Sequence, residues 1–399
     1  MEDGNHEAML AMVRTAGQSP LAHLHQVGVE GIVTALHDIP PGEIWSAEAI
    51  RKRMELLAAS GFDWDVVESL PVSETIKTKG PDYREHLNAY RASLTNLAEA
   101  GIRTVCYNFM PILDWTRTVL RAPQPHGGNA MHFSLLDFAV FDLRILKRAT
   151  AADDYDPELR ALAAERFGNL SDQEKQTLQK TVIAGLPGAN DSWSLTEVAA
   201  RLATYDHIDA DQLRANLIDF LSEVAPHAQD CGIRLCCHPD DPPFPLLGLP
   251  RVMSSTEDYV TVLEAVDIPA SGATLCTGSL GVAAEFDPVE FIRRTGPRIH
   301  FVHLRNTRRV PGPDPARPDF FEAPHLDGDT DMVATIRALT EEETRRRGAG
   351  REDAEIPMRP DHGQELLSDL DTDSMHGYPL IGRMRGLAEL RGIMAACQP

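Results

Sequence analysis

Short apolar runs, each closed by turn residues and followed by a helical stretch, recur along this chain and leave few folds open to it. Four of them read RLCCHP, ATLCTG, IHFVHL and EIPMRPD. Each is short, rich in Ile, Val, Leu or Cys, and bounded by Pro or Gly, as in a strand buried on both faces. Four more strands are predicted upstream, near residues 9–14, 31–36 (GIVTAL), 63–69 (DWDVVES) and 103–109 (RTVCYNF). Helical patterns fall between them. Residues 46–60 open on Ser46 and Glu48, an N-cap and an acidic first turn. Residues 83–100 place Leu87, Tyr90, Leu94 and Leu97 near helical spacing. Residues 210–230, 255–266, 287–295, 331–347 and 381–396 follow the same logic.

Alternating strand and helix argues for a parallel sheet, and eight units argue for its closure into a (β/α)8 TIM barrel. The competing fold is an open doubly wound sheet. It would carry a Gly-rich phosphate loop after an early strand, and neither G-x-G-x-x-G nor G-x-x-x-x-G-K occurs. The 399 residues are then one catalytic domain with insertions. The stretch from Phe109 to Gly232 is far too long for one crossover helix. It predicts a helical insertion over residues 110–210, after the fourth strand and on the face where barrel loops form the site. Residues 135–147 and 156–180 read as its helices, and AGLPGAND as a turn-rich break. A Pro- and Asp-rich stretch, residues 310–326, reads as an irregular, mobile loop after the seventh strand.

The charge narrows the partners. Lys and Arg total 38 against 60 Asp and Glu, a formal charge of −22. Such a surface repels phosphate backbones, so no nucleic-acid partner is expected. An anionic substrate must be held by local positive charge, from metal or arginine. No apolar run approaches the roughly 18 residues of a membrane span. The N-terminus is acidic and lacks a basic n-region, so no secretory signal is expected. Six cysteines without a C-x-x-C pair or a disulfide spacing suit a reducing cytoplasm.

The last four strands each end in a metal-binding side chain: His238, Cys276, His303 and Asp361. Strand ends of one polarity share one face of a barrel, so four residues far apart in sequence can meet around one ion. Imidazole, thiolate and carboxylate together are a borderline donor set, suited to Mn²⁺, Fe²⁺ or Zn²⁺ rather than Mg²⁺. The alternative is that each is an ordinary polar residue at a strand end. His362 follows Asp361, and both can reach one pocket only if the strand has already ended, as the flanking Pro360 and Gly363 suggest. Tyr378, in HGYPLIGR, is a second candidate acid or base; its alternative is an aromatic that closes the barrel end. Arg305 and Arg308 are candidates for a bidentate clamp on a carboxylate, or else surface arginines paired with the abundant acids. His37, Asn108 and His325 are polar groups near strand ends, candidates for holding substrate hydroxyls.

The motifs GIVTALHDIPPGEIWS, VVES, GIRTVCYNFMPILDWTRT, IAGLPGA, HPDDPP, LGLPR, CTGSLGV, HFVHLR, HLDGD, MRPDHG and GYPLIGR resemble those of bacterial mannonate dehydratases. The likeness runs from about Gly31 to Gly392. The resemblance implies a metal-dependent β/α barrel related to sugar isomerases. It implies removal of water from D-mannonate to give 2-keto-3-deoxy-D-gluconate in hexuronate catabolism, with Mn²⁺ or Fe²⁺. It implies His238, Cys276, His303 and Asp361 as metal ligands, His362 and Tyr378 in catalysis, and a homo-oligomer acting on a small sugar acid. Two departures stand out. The segment MLAMVRTAGQSP lacks the tryptophans common in the family's first strand, and Phe321 stands where some members carry histidine. A sugar isomerase or epimerase on the same barrel is the rival reading, with a dehydratase of another aldonate beside it. Isomerase sites rely on several carboxylates, and the His, Cys, His, Asp set is poor in them.

Overall fold

A computed structural model of the chain describes residues 21–184, 193–372 and 375–397. Seven parallel strands form one sheet: β1 (Gly31–Thr34), β2 (Asp63–Glu68), β3 (Thr104–Tyr107), β6 (Arg234–Cys237), β7 (Ser271–Cys276), β8 (Ile299–Leu304) and β11 (Met358–Pro360), hydrogen-bonded in that order. The strand expected near residues 9–14 lies outside the described residues, as does nearly all of AGLPGAND.

Side-chain alternation shows the sheet curling into a barrel. Ile32, Val67, Val105, Leu235 and Val302 point outward into the large core shared with the surrounding helices. Their neighbours Val33, Val66, Cys106, Cys236 and Phe301 form a separate small cluster, although they come from five strands. Neighbouring residues on a strand face opposite ways, so an inner cluster of this kind requires the strands to wrap around it. The outer core is continued by Leu57, Leu87, Leu94, Phe220, Phe291 and Ile336 on the helices. Each such side chain contributes about 1.5–3 kcal/mol relative to exposure.

The helices begin where their caps are. Ser46 accepts from Ala49 N–H at the start of Ala47–Ala58. Asp209 does the same for Ala210–Asp230, and Asp331 for Met332–Gly348. None of the described helices is long and apolar enough to cross a membrane.

The helical insertion after β3 is present, with the helices Leu135–Val140, Pro157–Asn169, Asp172–Ala184 and Leu195–Ala203, and it opens on an unexpected hairpin, β4 (Val119–Pro123) and β5 (Asn129–Phe133). One expectation needs correction: residues 310–326 are not simply an irregular loop. They carry β10 (Asp319–Ala323), which pairs antiparallel with β9 (Asn306–Val310) and with β5. The result is a four-stranded cap sheet in the order β4-β5-β10-β9. It escaped the pattern because its central pair joins segments far apart in sequence, each too short to announce itself. The cap is fastened to the chain beyond β11 by paired backbone bonds between Asn129 and Glu365. Gly128 permits this approach, since a Cβ there would lie 2.6 Å from the Glu365 carbonyl oxygen.

Candidate active site

The inner cluster has a second layer two residues further along each strand. Glu68 follows Val66, His238 follows Cys236, and His303 follows Phe301. Cys276 follows Thr274, whose hydroxyl meets Cys106 inside the barrel. A two-residue step keeps a side chain on the same face, so this layer is polar, inward-facing and at the C-terminal mouth. β11 ends at Pro360, so Asp361 and His362 both lie past the strand and can both turn toward the mouth.

His238, Cys276 and His303 each offer a ligand atom within 4.8 Å of the others. His238 Nε2 lies 3.1 Å from His303 Nδ1. Their far nitrogens define the tautomers. His238 Nδ1 is 2.7 Å from the Pro239 carbonyl, which can only accept, so the proton sits on Nδ1. His303 Nε2 is 3.0 Å from Glu68 Oε1, off the line of an ideal hydrogen bond. A carboxylate there also calls for N–H on that side. The facing nitrogens, His238 Nε2 and His303 Nδ1, stand 3.1 Å apart, close enough for both to serve one cation. Cys276 Sγ accepts from Ser279 Oγ at 3.1 Å and from Ser279 N–H at 3.4 Å. Asp361 stands at the edge of the group, with Oδ2 3.8 Å from His303 Nδ1. These residues fit a divalent metal ion.

The surrounding charges keep the acids ionised. Burial alone would raise the Glu68 carboxyl. The Arg359 guanidinium, 2.8 Å away, and His303 more than offset this and hold it down to about 2. Asp361 is likewise buried, yet His362, Arg359, His303 and Arg305 hold it well below the usual carboxylate range. Arg359 lies 3.0 Å from Asp361 Oδ1, so one guanidinium bridges β2 and the end of β11 across the mouth.

His362 stands between aromatic rings, edge-on to Tyr378 at 5.3 Å and to Trp115 at 6.1 Å between centroids. Its Nδ1 lies 3.2 Å from Glu322 Oε1. Burial first, then the Asp361 carboxylate, pushes the Tyr378 phenol up, so it keeps its proton at neutral pH.

The remaining candidates part company. Arg305 is not available as a substrate clamp. It is 1% exposed, and its fork is taken by Glu322 (2.8 Å from both Nε and Nη2) and by Asp241 (2.7 Å from Nη1). Arg308 is exposed on β9, with Nη2 on the Asp327 carbonyl. His325 is a fastener rather than a pocket group. It is buried, its Nε2 lies 2.8 Å from the Leu304 carbonyl, and its ring packs on Gly386. His37 lies three residues past β1 and is exposed, in contrast to the buried cluster. Asn108 sits just past β3 with its Oδ1 buried and lacking a hydrogen-bond partner, an acceptor suited to a hydroxyl.

Sequence reasoning missed Glu68, Asp114, Arg117, Asp241, Glu322 and Arg359. Glu68 carried the same signal as the histidines, a polar residue closing an apolar run. Asp114 follows Ile112, a β-branched residue at φ 57°, and its Oδ1 is buried without a partner. Nothing local marks Arg117, Asp241 or Glu322, which meet only through the cap sheet.

Against this geometry stand the likenesses to known proteins. The family model for D-mannonate dehydratase (UxuA) matches residues 13–399. The chain belongs to the D-mannonate dehydratase family. It is 52% identical over 371 residues to the mannonate dehydratase of Rhizobium meliloti, covering 93% of this chain and 92% of that one. It is 53% identical over 368 residues to mannonate dehydratase 1 of Agrobacterium fabrum, covering 92% and 91%. The crystal structure of mannonate dehydratase from Streptococcus suis serotype 2 superposes with a TM-score of 0.74 at 27% identity, covering 98% of this chain and 93% of that one. Membership settles the choice left open between a hydro-lyase and a sugar isomerase on the same barrel: this dehydratase is a hydro-lyase.

Proposed function

We propose that the chain removes water from D-mannonate to give 2-keto-3-deoxy-D-gluconate, with His238, Cys276, His303 and Asp361 holding one Mn²⁺ or Fe²⁺ ion and His362 and Tyr378 moving the protons. The observation that carries the metal reading is the convergence of two imidazole nitrogens on a thiol and a carboxylate at the barrel mouth. Nitrogen, sulfur and oxygen donors together suit a borderline transition ion. When bound, such an ion supplies a Lewis-acid charge that offsets the negative charge built up beside the substrate carboxylate.

The elimination takes the proton from C2 and the hydroxyl from C3. Hydroxide leaves poorly, so one group must take a proton and another must give one. Tyr378 keeps its phenolic proton in this buried setting and takes the donor's part. His362, with Nδ1 against a carboxylate, keeps Nε2 as the basic nitrogen. The resulting enol tautomerises to the keto acid. The buried Oδ1 of Asn108 supports a role in accepting a substrate hydroxyl. All six cysteines are free, which supports a reducing compartment such as the cytoplasm.

The test is an aldonate panel with added Mn²⁺ or Fe²⁺, read as keto-acid formation. D-Mannonate is expected to be turned over in preference to its epimers. Turnover of another aldonate alone, or an isomer with all its oxygens retained, would refute the proposal.

A further inference from the structure

Four charged side chains meet behind His362 in a closed box. Arg117 and Arg305 each reach both Asp241 and Glu322, at 2.7–3.4 Å. None of the four is more than 2% exposed. Two cations face two anions, so the box is neutral, and its members hold one another in place. They come from four separate parts of the chain: the cap segment before β4, the turn after β6, the end of β8, and β10.

Within the box the two carboxylates are not equivalent. Asp241 accepts from both arginines. Glu322 accepts from both and also lies 3.2 Å from His362 Nδ1. A carboxylate has no proton to give here, so the imidazole must donate from that side. Trp115 and Tyr378 flank the ring, and Arg117 lies over the Trp115 ring at 5.7 Å. The box therefore fixes both the imidazole and one of its aromatic neighbours.

We propose that Glu322 is a positioning residue for the dehydration, holding His362 with Nδ1 protonated so that Nε2 is the nitrogen that exchanges a proton with substrate. The cap sheet is then part of the catalytic apparatus as well as a cover, because β10 delivers this carboxylate. The inference rests on the reading of His362 as a proton-transfer group.

Two neutral double variants separate positioning from mere support. Arg117→Gln with Glu322→Gln removes one cation and one anion and takes the carboxylate from His362. Arg117→Gln with Asp241→Asn removes the same charges from the same box and leaves Glu322 on His362. Metal content, KM and kcat are measured for both. The pair lacking Glu322 is expected to lose about tenfold to a hundredfold more kcat than the other, with similar KM and metal content. Equal losses, or losses that follow metal content, would overturn the positioning role. A second measurement needs no variant. In ¹⁵N-histidine-labelled wild-type enzyme loaded with diamagnetic Zn²⁺, His362 is expected to show the Nδ1–H tautomer, and an Nε2–H signal overturns the proposal by itself. Full turnover by a His362→Asn enzyme would instead remove the proton-transfer reading beneath it.

Discussion

Glu68 Oε1 lies 3.0 Å from His303 Nε2, behind an imidazole whose Nδ1 faces His238 at 3.1 Å. The same carboxylate is held by Arg359 from the opposite wall of the barrel. A ring gripped from behind by a carboxylate has its tautomer and direction set before any ion arrives. Glu68→Gln keeps the shape but removes the charge. It is expected to weaken metal affinity by about tenfold to a hundredfold. Titration of the metal-free chain with Mn²⁺ measures this directly, and an unchanged affinity would show that His303 needs no support from β2.

Cys276 presents its sulfur to two donors of Ser279 and stands 3.9 Å from Arg305 Nη1. That polar cradle holds the sulfur in place as a ligand atom. Serine in its place offers a harder oxygen that ionises far less readily. Cys276→Ser is expected to fold and to lose its metal on dialysis against a weak chelator, while the parent keeps it. Metal analysis after dialysis decides. Equal retention would place the ion elsewhere.

How much of this could be read from residues alone follows from where each signal is stored. His238, Cys276, His303 and Asp361 each end an apolar run, and a parallel barrel converts that local fact into proximity. Glu68 obeys the same rule and was readable in principle. Arg305 was misjudged because its partners Asp241 and Glu322 approach from the turn after β6 and from β10, and no spacing along the chain encodes that meeting. The cap sheet was missed for the same reason. Phe321 pairs with His132, and Asp319 with Val310, so its register exists only between remote segments. Local periodicity reports what one element buries; it is silent on short strands whose stability comes from distant partners.

His362 is flanked by Tyr378 and Trp115 and lies beyond the end of β11. His362→Asn retains polarity and much of the volume but cannot take up a proton near neutral pH. Proton transfer by a positioned side chain contributes about 10²–10⁴-fold. The variant is expected to lose kcat on that scale while keeping its metal content. The keto-acid assay at saturating D-mannonate checks it. Turnover within a fewfold of the parent would leave Tyr378 to act with some other partner.

His300 points away from the mouth on β8, with Nε2 3.0 Å from the Pro269 carbonyl and its ring where a Cβ on Gly272 would fall. Burial is the main force on it, with the Arg234 charge adding to the effect, and together they lower its pKa from the ordinary 6.5 to about 3. The folded state therefore holds a neutral imidazole where the unfolded chain binds a proton. Stability from this group is complete above the unfolded pKa and is lost as pH falls from about 6.5 toward 3. By linkage the loss between pH 8 and pH 5 is about 2 kcal/mol. His300→Gln keeps a donor for Pro269 and removes the titration. It is expected to be less stable than the parent at pH 8 but to show a flatter decline toward pH 5. Urea unfolding at both pH values measures the slopes, and parallel slopes would mean that His300 binds its proton as readily in the folded barrel as in the unfolded chain.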